Sequence, residues 1–462
     1  MIRKLPFVLL IAILLGACAP TVTLLNQPAT PLPTSPSAAL PPPASVTRIP
    51  VPTHVPDLGI RPDMLQGVEV VAWEGWDGSS SRLFQQMAAE FTLSNKWGIK
   101  TRVVSKKNLN LLAGDVAKSL GGQEHADIVV ALPEQILAWQ DQVVDLSPYI
   151  AQPEFGMDTG GNSGFFWGQS LVNGKRYGVP SARSARFLFY NTSFARSLGF
   201  NRAPSTTDEF RKQACAANSF WKQDADLTND GYGGLALDVN ANWQTPYAWL
   251  AASGAMVFVD GEYRFESPEN LAALEFISKL HEDGCAWAPA GQTNYDHLAA
   301  RRALFITGSL GEFPDQRMAF AAIAPADEWT VMPFPGKQPV IVAYGPDYTI
   351  LKSDDARQLA AWLFIRWMLE PQNQLRWSRE TGLFPVTTPA IKLFETDGAA
   401  NPQLAAAMAL IPDTVIYPQA STWGMADKLL ADGFLAYFLG IPNANLDDVL
   451  KTMDISIKDL TR

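Results

Sequence analysis

Residues Gly174 to Asn191 read GKRYGVPSARSARFLFYN, and they fall into two halves about Pro180. Gly174-Lys175-Arg176, before the short run Tyr177-Gly178-Val179, has the form of a tight turn feeding a strand. Beyond the proline, Phe187, Leu188, Phe189 and Tyr190 make a continuous apolar run, short enough for a buried strand and closed by Asn191. Between the halves lie small residues and one cation, Arg183. Apolar strands on both sides of a short polar segment point to a chain that crosses from one sheet into another.

The segments before this stretch alternate strand and helix. Gly67 to Trp73 reads as a strand. Ser79-Ser80-Ser81 can cap a helix to about Asn95, with Leu83, Phe84, Met87 and Phe91 on one face. Ile99 to Val104 is a strand, Leu109 to Leu120 a helix ended by Gly121-Gly122, and Asp127 to Leu132 a buried strand. That order implies an α/β fold with a parallel sheet covered by helices. Ligands of such sheets sit beyond the C-terminal strand ends, here Trp73 to Asp77 and Leu132-Pro133-Glu134. Downstream, Thr206 opens a helix to about Trp221, and Leu235 to Val239 is a strand. Trp243 to Ala252 is a helix, and Ser267-Pro268 starts a long one that stops at Gly284. Ala303 to Thr307 and Trp329 to Pro333 are strands. Ser353 caps a helix from Ala356 to Leu369, and Pro371 opens another to Thr381. The tail to Arg462 is mostly helical by pattern, most clearly from Trp423 to Phe438.

The pattern G-K-x-Y-G-V-P followed by L-x-Y-N resembles the crossover of extracellular solute-binding proteins, the sugar-binding family that serves ABC importers. Gly174, Lys175, Tyr177, Gly178, Val179, Pro180, Leu188, Tyr190 and Asn191 carry the match, and Ala126 to Ala131 resembles the family's third strand. The resemblance implies a two-lobe, periplasmic-binding-protein-like α/β fold whose lobes hinge about a cleft. It sets lobe 1 at residues 66–180 plus 346–395 and lobe 2 at 184–342 plus 400–462, with joints near Pro180, Tyr344 and Gly398. It further implies ligand contacts from Trp73, Glu74, Trp76 and Asp77, from Glu134, and from Arg183 and Ser184 on the crossover. Asn242 and Trp243, Ser309 to Glu312, and Tyr344 with Gly345 complete the ring. Indole and phenol rings can cover the C–H face of a sugar while Glu74, Asp77, Arg183, Asn242 and Gln244 bond its hydroxyls. Arg183 stands where the maltose-type pattern often has an acid, which leaves room for an acidic or modified sugar.

Composition agrees with a globular binding protein. The chain has 462 residues, 47% apolar and 18% charged, enough for two or three domains. A formal net charge of −10 argues against a nucleic-acid partner, which calls for clustered Lys and Arg. Residues 1–17 read as a signal peptide: a basic start, then an apolar core too short to span a membrane. Leu15-Gly16-Ala17-Cys18 resembles a bacterial lipobox, implying cleavage before Cys18, a diacylglyceryl anchor and an extracytoplasmic place on the membrane. Residues 18–65 are then a proline-rich spacer without an apolar period. Cys215 and Cys285 remain, and in an oxidising compartment a disulfide is expected, closing a loop worth roughly 4 kcal/mol in the chain-entropy model.

Signals for catalysis are thin. No HExxH, CxxC or G-x-S-x-G occurs, and the S-x-x-K at Ser219 to Lys222 has no companion motif. Asp226, Thr228, Asp230 and Gly231 match the start of a calcium loop, yet Leu237 stands where a bidentate glutamate is wanted. A solvated acidic turn is the other reading. The expectation is therefore a monomeric, cofactor-free binding protein with a small-molecule solute, a membrane anchor and ABC permease subunits as partners. The alternatives are a non-sugar cargo (polyamine, peptide, organic anion), or a glycan-active enzyme or sensor partner on the same scaffold.

Overall fold

A computed structural model describes residues 58–120, 126–158, 164–238, 242–289, 294–440 and 445–461. The signal peptide, Cys18, the spacer as far as residue 57, and Gly121-Gly122 lie outside the described residues. The strands in chain order are β1 (Glu69–Glu74), β2 (Lys100–Ser105), β3 (Ile128–Ala131), the hairpin β4 (Leu171–Val172) and β5 (Lys175–Arg176), and β6 (Val179–Pro180). There follow β7 (Ser184–Asn191), β8 (Leu235–Ala236), a small hairpin β9 (Phe258–Val259) and β10 (Glu262–Tyr263), β11 (Ala286–Trp287), β12 (Phe305–Ser309) and β13 (Trp329–Met332). The last are β14 (Ile341–Tyr344), β15 (Asp347–Ile350) and β16 (Thr414–Val415).

Two mixed sheets result. The first has the order β2-β1-β3-β15-β6, parallel across β2, β1 and β3, with β15 antiparallel to β3. The helices Gly78–Ser94 and Leu109–Ser119 are its crossovers, and the former buries Leu83, Phe84, Met87 and Phe91 as its spacing demands. Its N-cap is Asp77 rather than the serine triplet: Ser81 lies inside the first turn and donates to Glu74 Oε1 at 2.6 Å. The helix Asp355–Met368 is likewise capped one residue later than expected, by Asp354, whose carboxylate accepts from Arg357 N.

The second sheet has the order β11-β8-β12-β7-β14-β16, with β13 also paired to β7. All eight residues of β7 are buried. Ala185, Phe187 and Phe189 enter one apolar cluster and Leu188 and Tyr190 another, so both faces are covered and the apolar run is continuous. Asn191 ends the strand by capping the next helix, accepting from Phe194 N at 2.8 Å.

Between β6 and β7 the chain leaves the first sheet at residues 181–183, and between β14 and β15 it returns at Gly345 and Pro346. The two linkers touch: Ser181 N donates to Pro346 O at 3.2 Å. A third segment joins them, because Arg183 and Phe384 exchange backbone hydrogen bonds at 3.1 and 2.8 Å. Gly345 has φ +149, and a Cβ there would meet Ala182 O at 2.8 Å, so the close crossing requires glycine. Away from this joint, Cys215 and Cys285 are bonded, with Cα atoms 4.5 Å apart.

Candidate functional site

The C-terminal ends of β1 and β3 form one side of the site. Glu74 is fully buried, and its carboxylate accepts from Trp76 N at 2.5 Å and from Ser81, so it shapes the loop from within. Trp73 is also interior, packed among Leu112, Val116 and Val129 with the Lys106 ammonium 4.1 Å from its ring centre. Trp76 is half-buried and rests on Phe84 and Trp377. With Asp77, Ser80, Lys107, Asn108 and Leu132 it lines an open cavity of about 400 Å³. Lys107 holds φ +64, a left-handed conformation unusual for a side chain of its size, at the turn that brings it to this cavity.

The opposite side comes from the second sheet. Trp243 precedes the helix Gln244–Ser253 and is half-buried. Its ring lies 4.9 Å from Tyr417, 5.3 Å from Trp423 and 6.3 Å from Tyr344 by centroids. Tyr344 pairs with Ser184 across β14 and β7. Two residues along the same face of β7, Arg186 anchors a polar network. It donates to Thr245 Oγ1 and Thr307 Oγ1 at 3.0 Å each, pairs with Asp238, and reaches Glu312 Oε2 at 3.4 Å. Asn242 Nδ2 donates to the same Asp238 at 2.5 Å. Glu312 accepts from Tyr295 OH at 2.8 Å and from Ser309 N at 2.5 Å.

Glu134 links the two sides. It sits at the start of the helix Pro133–Ala138, is 7% exposed, and accepts from Tyr417 OH at 3.2 Å. Burial pushes its carboxyl up to about 7. A second link is Ser170 N, which donates to Gln419 Oε1 at 2.8 Å.

Trp76 and Asp77 are thus together on one side, and Asn242, Trp243, Ser309, Glu312 and Tyr344 on the other, with Ser184 beside Tyr344. Arg183 stands apart from them. Its side chain has no exposed surface, donates to Asp347 Oδ1 at 2.5 Å, and holds the carbonyls of Ala182, Gly345, Pro346 and Phe166. It clasps the linkers, and Gly345 belongs to the same clasp. Arg186, Asp238, Tyr295, Tyr417 and Trp423 were not anticipated. The period of two along β7 from Ser184 was the available signal for Arg186; nothing local marked the two aromatics of the tail. The acidic turn closes on itself: Asp226 Oδ1 accepts from Thr228 N at 3.0 Å and Thr228 Oγ1 at 2.6 Å. Among the described residues no group of three His, Cys, Asp or Glu side chains gathers as metal ligands would.

Two lobes joined by neighbouring linkers around a polar and aromatic cleft define a receptor that holds a small solute. Residues 86–409 match the model of the bacterial extracellular solute-binding proteins, and the chain belongs to that family. A putative binding protein of Brucella abortus (strain 2308) is 24% identical over 300 residues, covering 63% of this chain and 71% of its own. Among solved structures, the sugar-binding protein MalE from Xanthomonas citri superposes with a TM-score of 0.72 at 17% identity, over 85% of this chain and 97% of that one. The cyclic alpha-maltosyl-1,6-maltose binding protein of Arthrobacter globiformis gives 0.70 at 19%, over 85% and 98%. UgpB of Mycobacterium tuberculosis, solved with glycerophosphocholine, gives 0.67 at 20%, over 85% and 98%. At these identities the likeness is one of fold. The family is one of extracellular proteins that bind solutes.

Proposed function

We propose that this chain is a lipid-anchored receptor that delivers a carbohydrate, mono- or oligosaccharide, to ABC permease subunits. Its lobes are 66–180 plus 346–395 and 184–342 plus 400–462; it works as a monomer without cofactor or metal, held to the membrane by Cys18 through a spacer that is shorter than the expected 18–65, because Leu58 and Ile60 pack on the core and Leu65, in the turn Pro62–Leu65, is buried in it. The observation that carries the sugar assignment is aromatic. Trp243 and Tyr344 are half-buried against a wall of Tyr417 and Trp423, while Trp76 and Asp77 line the cavity on the other lobe. Flat rings beside hydroxyl-bonding groups suit a pyranose, whose C–H face is apolar and whose rim is polar. Of the three arginines in the crossover stretch, Arg183 is paired with Asp347 and Arg186 with Asp238 and Glu312, while Arg176 is buried against the carbonyls of Gln169 and Gly178, which favours a neutral sugar over an acidic one.

Thermal-shift screening against a saccharide panel tests this, since bound ligand raises the unfolding temperature by mass action. Titration calorimetry of the responding sugar then reads the site. Trp243→Ala should weaken binding about tenfold or more while leaving the fold intact, the effect of removing a buried aromatic anchor. Unchanged affinity in both Trp243→Ala and Trp76→Ala would remove these rings from the site. Because one structural neighbour holds glycerophosphocholine, that compound belongs in the panel. Stabilisation by it alone would replace the carbohydrate reading with a phosphodiester cargo.

A further inference from the structure

One of the contacts that join the lobes at the cleft is built on a carboxyl group. Glu134, from lobe 1, is 7% exposed. Facing it from lobe 2 are Tyr417, whose hydroxyl donates to Oε2 at 3.2 Å, and Gly424 in the first turn of the helix Trp423–Leu435. A Cβ at Gly424 would lie 3.7 Å from Glu134 Cγ, so the helix comes down directly on this side chain. Asp427 faces the same place from one turn along that helix, and Asp347 from the start of β15. Tyr263, bonded to Thr422, senses both Glu134 and Asp427. The cations nearby are Arg183, which is held by Asp347, and Lys428, which lies beside Asp427.

An ionised carboxylate closed into this place has lost its water and faces Asp427 and Asp347; the hydrogen bonds from Tyr417 and its own backbone N–H offset part of that cost, and burial outweighs them. We propose that Glu134 is a proton-operated latch between the lobes: protonated, it lets them close over the solute, and ionised, it holds them apart. The inference rests on the two-lobe receptor reading and not on the identity of the solute. In the closed contact burial, aided by Asp427 and Asp347, pushes Glu134 up to about 7, and burial pushes Asp427 up to about 6. With the lobes parted Glu134 regains water and falls back towards the ordinary carboxylate range. Closing therefore takes up a proton. The closed form is fully favoured below the open-state value, is lost progressively as pH rises towards about 7, and stays at the lower level above it.

Small-angle X-ray scattering of the whole solute-free chain reads the latch without any ligand. The radius of gyration should be smaller at about pH 5 than at about pH 8, as hinge closure demands. Glu134→Gln should abolish the dependence and stay compact at both. Asp427→Asn, which removes a repelling charge, should move the transition to lower pH, and it decides the matter if Glu134→Gln does not fold. A radius independent of pH, or a transition that neither substitution alters, would overturn the latch. Calorimetry across the mono- and oligosaccharide panel, maltotetraose included, separates the two readings: a pH-dependent radius with no member of the panel bound at any pH keeps the latch and removes the carbohydrate.

Discussion

Arg183 and Asp347 are both wholly buried and hold each other at 2.5 Å across the two linkers. Removing one partner from such a pair leaves an uncompensated charge away from water. Asp347→Asn should therefore cost roughly 3–5 kcal/mol, measured as a lowered midpoint in urea. Arg183→Lys should also destabilise, because an ammonium cannot reproduce a planar fork that reaches Asp347 and four carbonyls at once. The cation was visible in the sequence, and its position on the crossover suggested a ligand. Its true partner stands 164 residues away and is brought near only by the return of the chain between the sheets. Trp73 and Glu74 misled for a related reason. Alternation of aromatic and charge suggests exposure, but here the charge turns inward to bond Trp76 N, and Lys106 covers the indole.

Elements were legible wherever burial imposes a period. The helix Pro268–Glu282 carries Ser267 as its cap, accepting from Asn270 N, as its composition announces. The run Phe187 to Tyr190 stands out because clusters cover β7 on both faces. The cap of the helix Gly78–Ser94 slipped because Ser81 is bonded to Glu74; nothing in the structure explains why Asp354 rather than Ser353 caps the helix Asp355–Met368. At this scale the packing of β12 on β7 supplies a test. Gly308 lies opposite Phe187 in the ladder, and a Cβ there would come within 2.5 Å of the Phe189 ring. Gly308→Val should cost about 1–3 kcal/mol through overpacking, read as a drop in thermal midpoint.

The two-lobe plan was readable because the crossover sequence announces a change of sheet, whereas the far wall of the cleft was not. Tyr417 and Trp423 come from the tail, and their approach to Trp243 and Glu134 depends on β16 joining β14. The proposed lipid anchor is tested on the molecule as a whole. Cys18→Ser should release the protein from the membrane fraction into the soluble one, seen by fractionation and blotting, since losing the acyl chains removes the apolar attachment. Continued membrane retention would end the lipoprotein proposal.

The placement of β15 between β3 and β6 has a consequence for biosynthesis. A ribosome emits β3 more than two hundred residues before β15, so the nascent chain presents one side of β3 unpaired throughout synthesis of most of lobe 2. An open strand edge with the sequence IVVA is sticky, and the non-local pairing that seals it forms late. The first sheet therefore cannot reach its final form until β15 has been made, and a β3 edge left open for that long is the part of the nascent chain most exposed to mispairing.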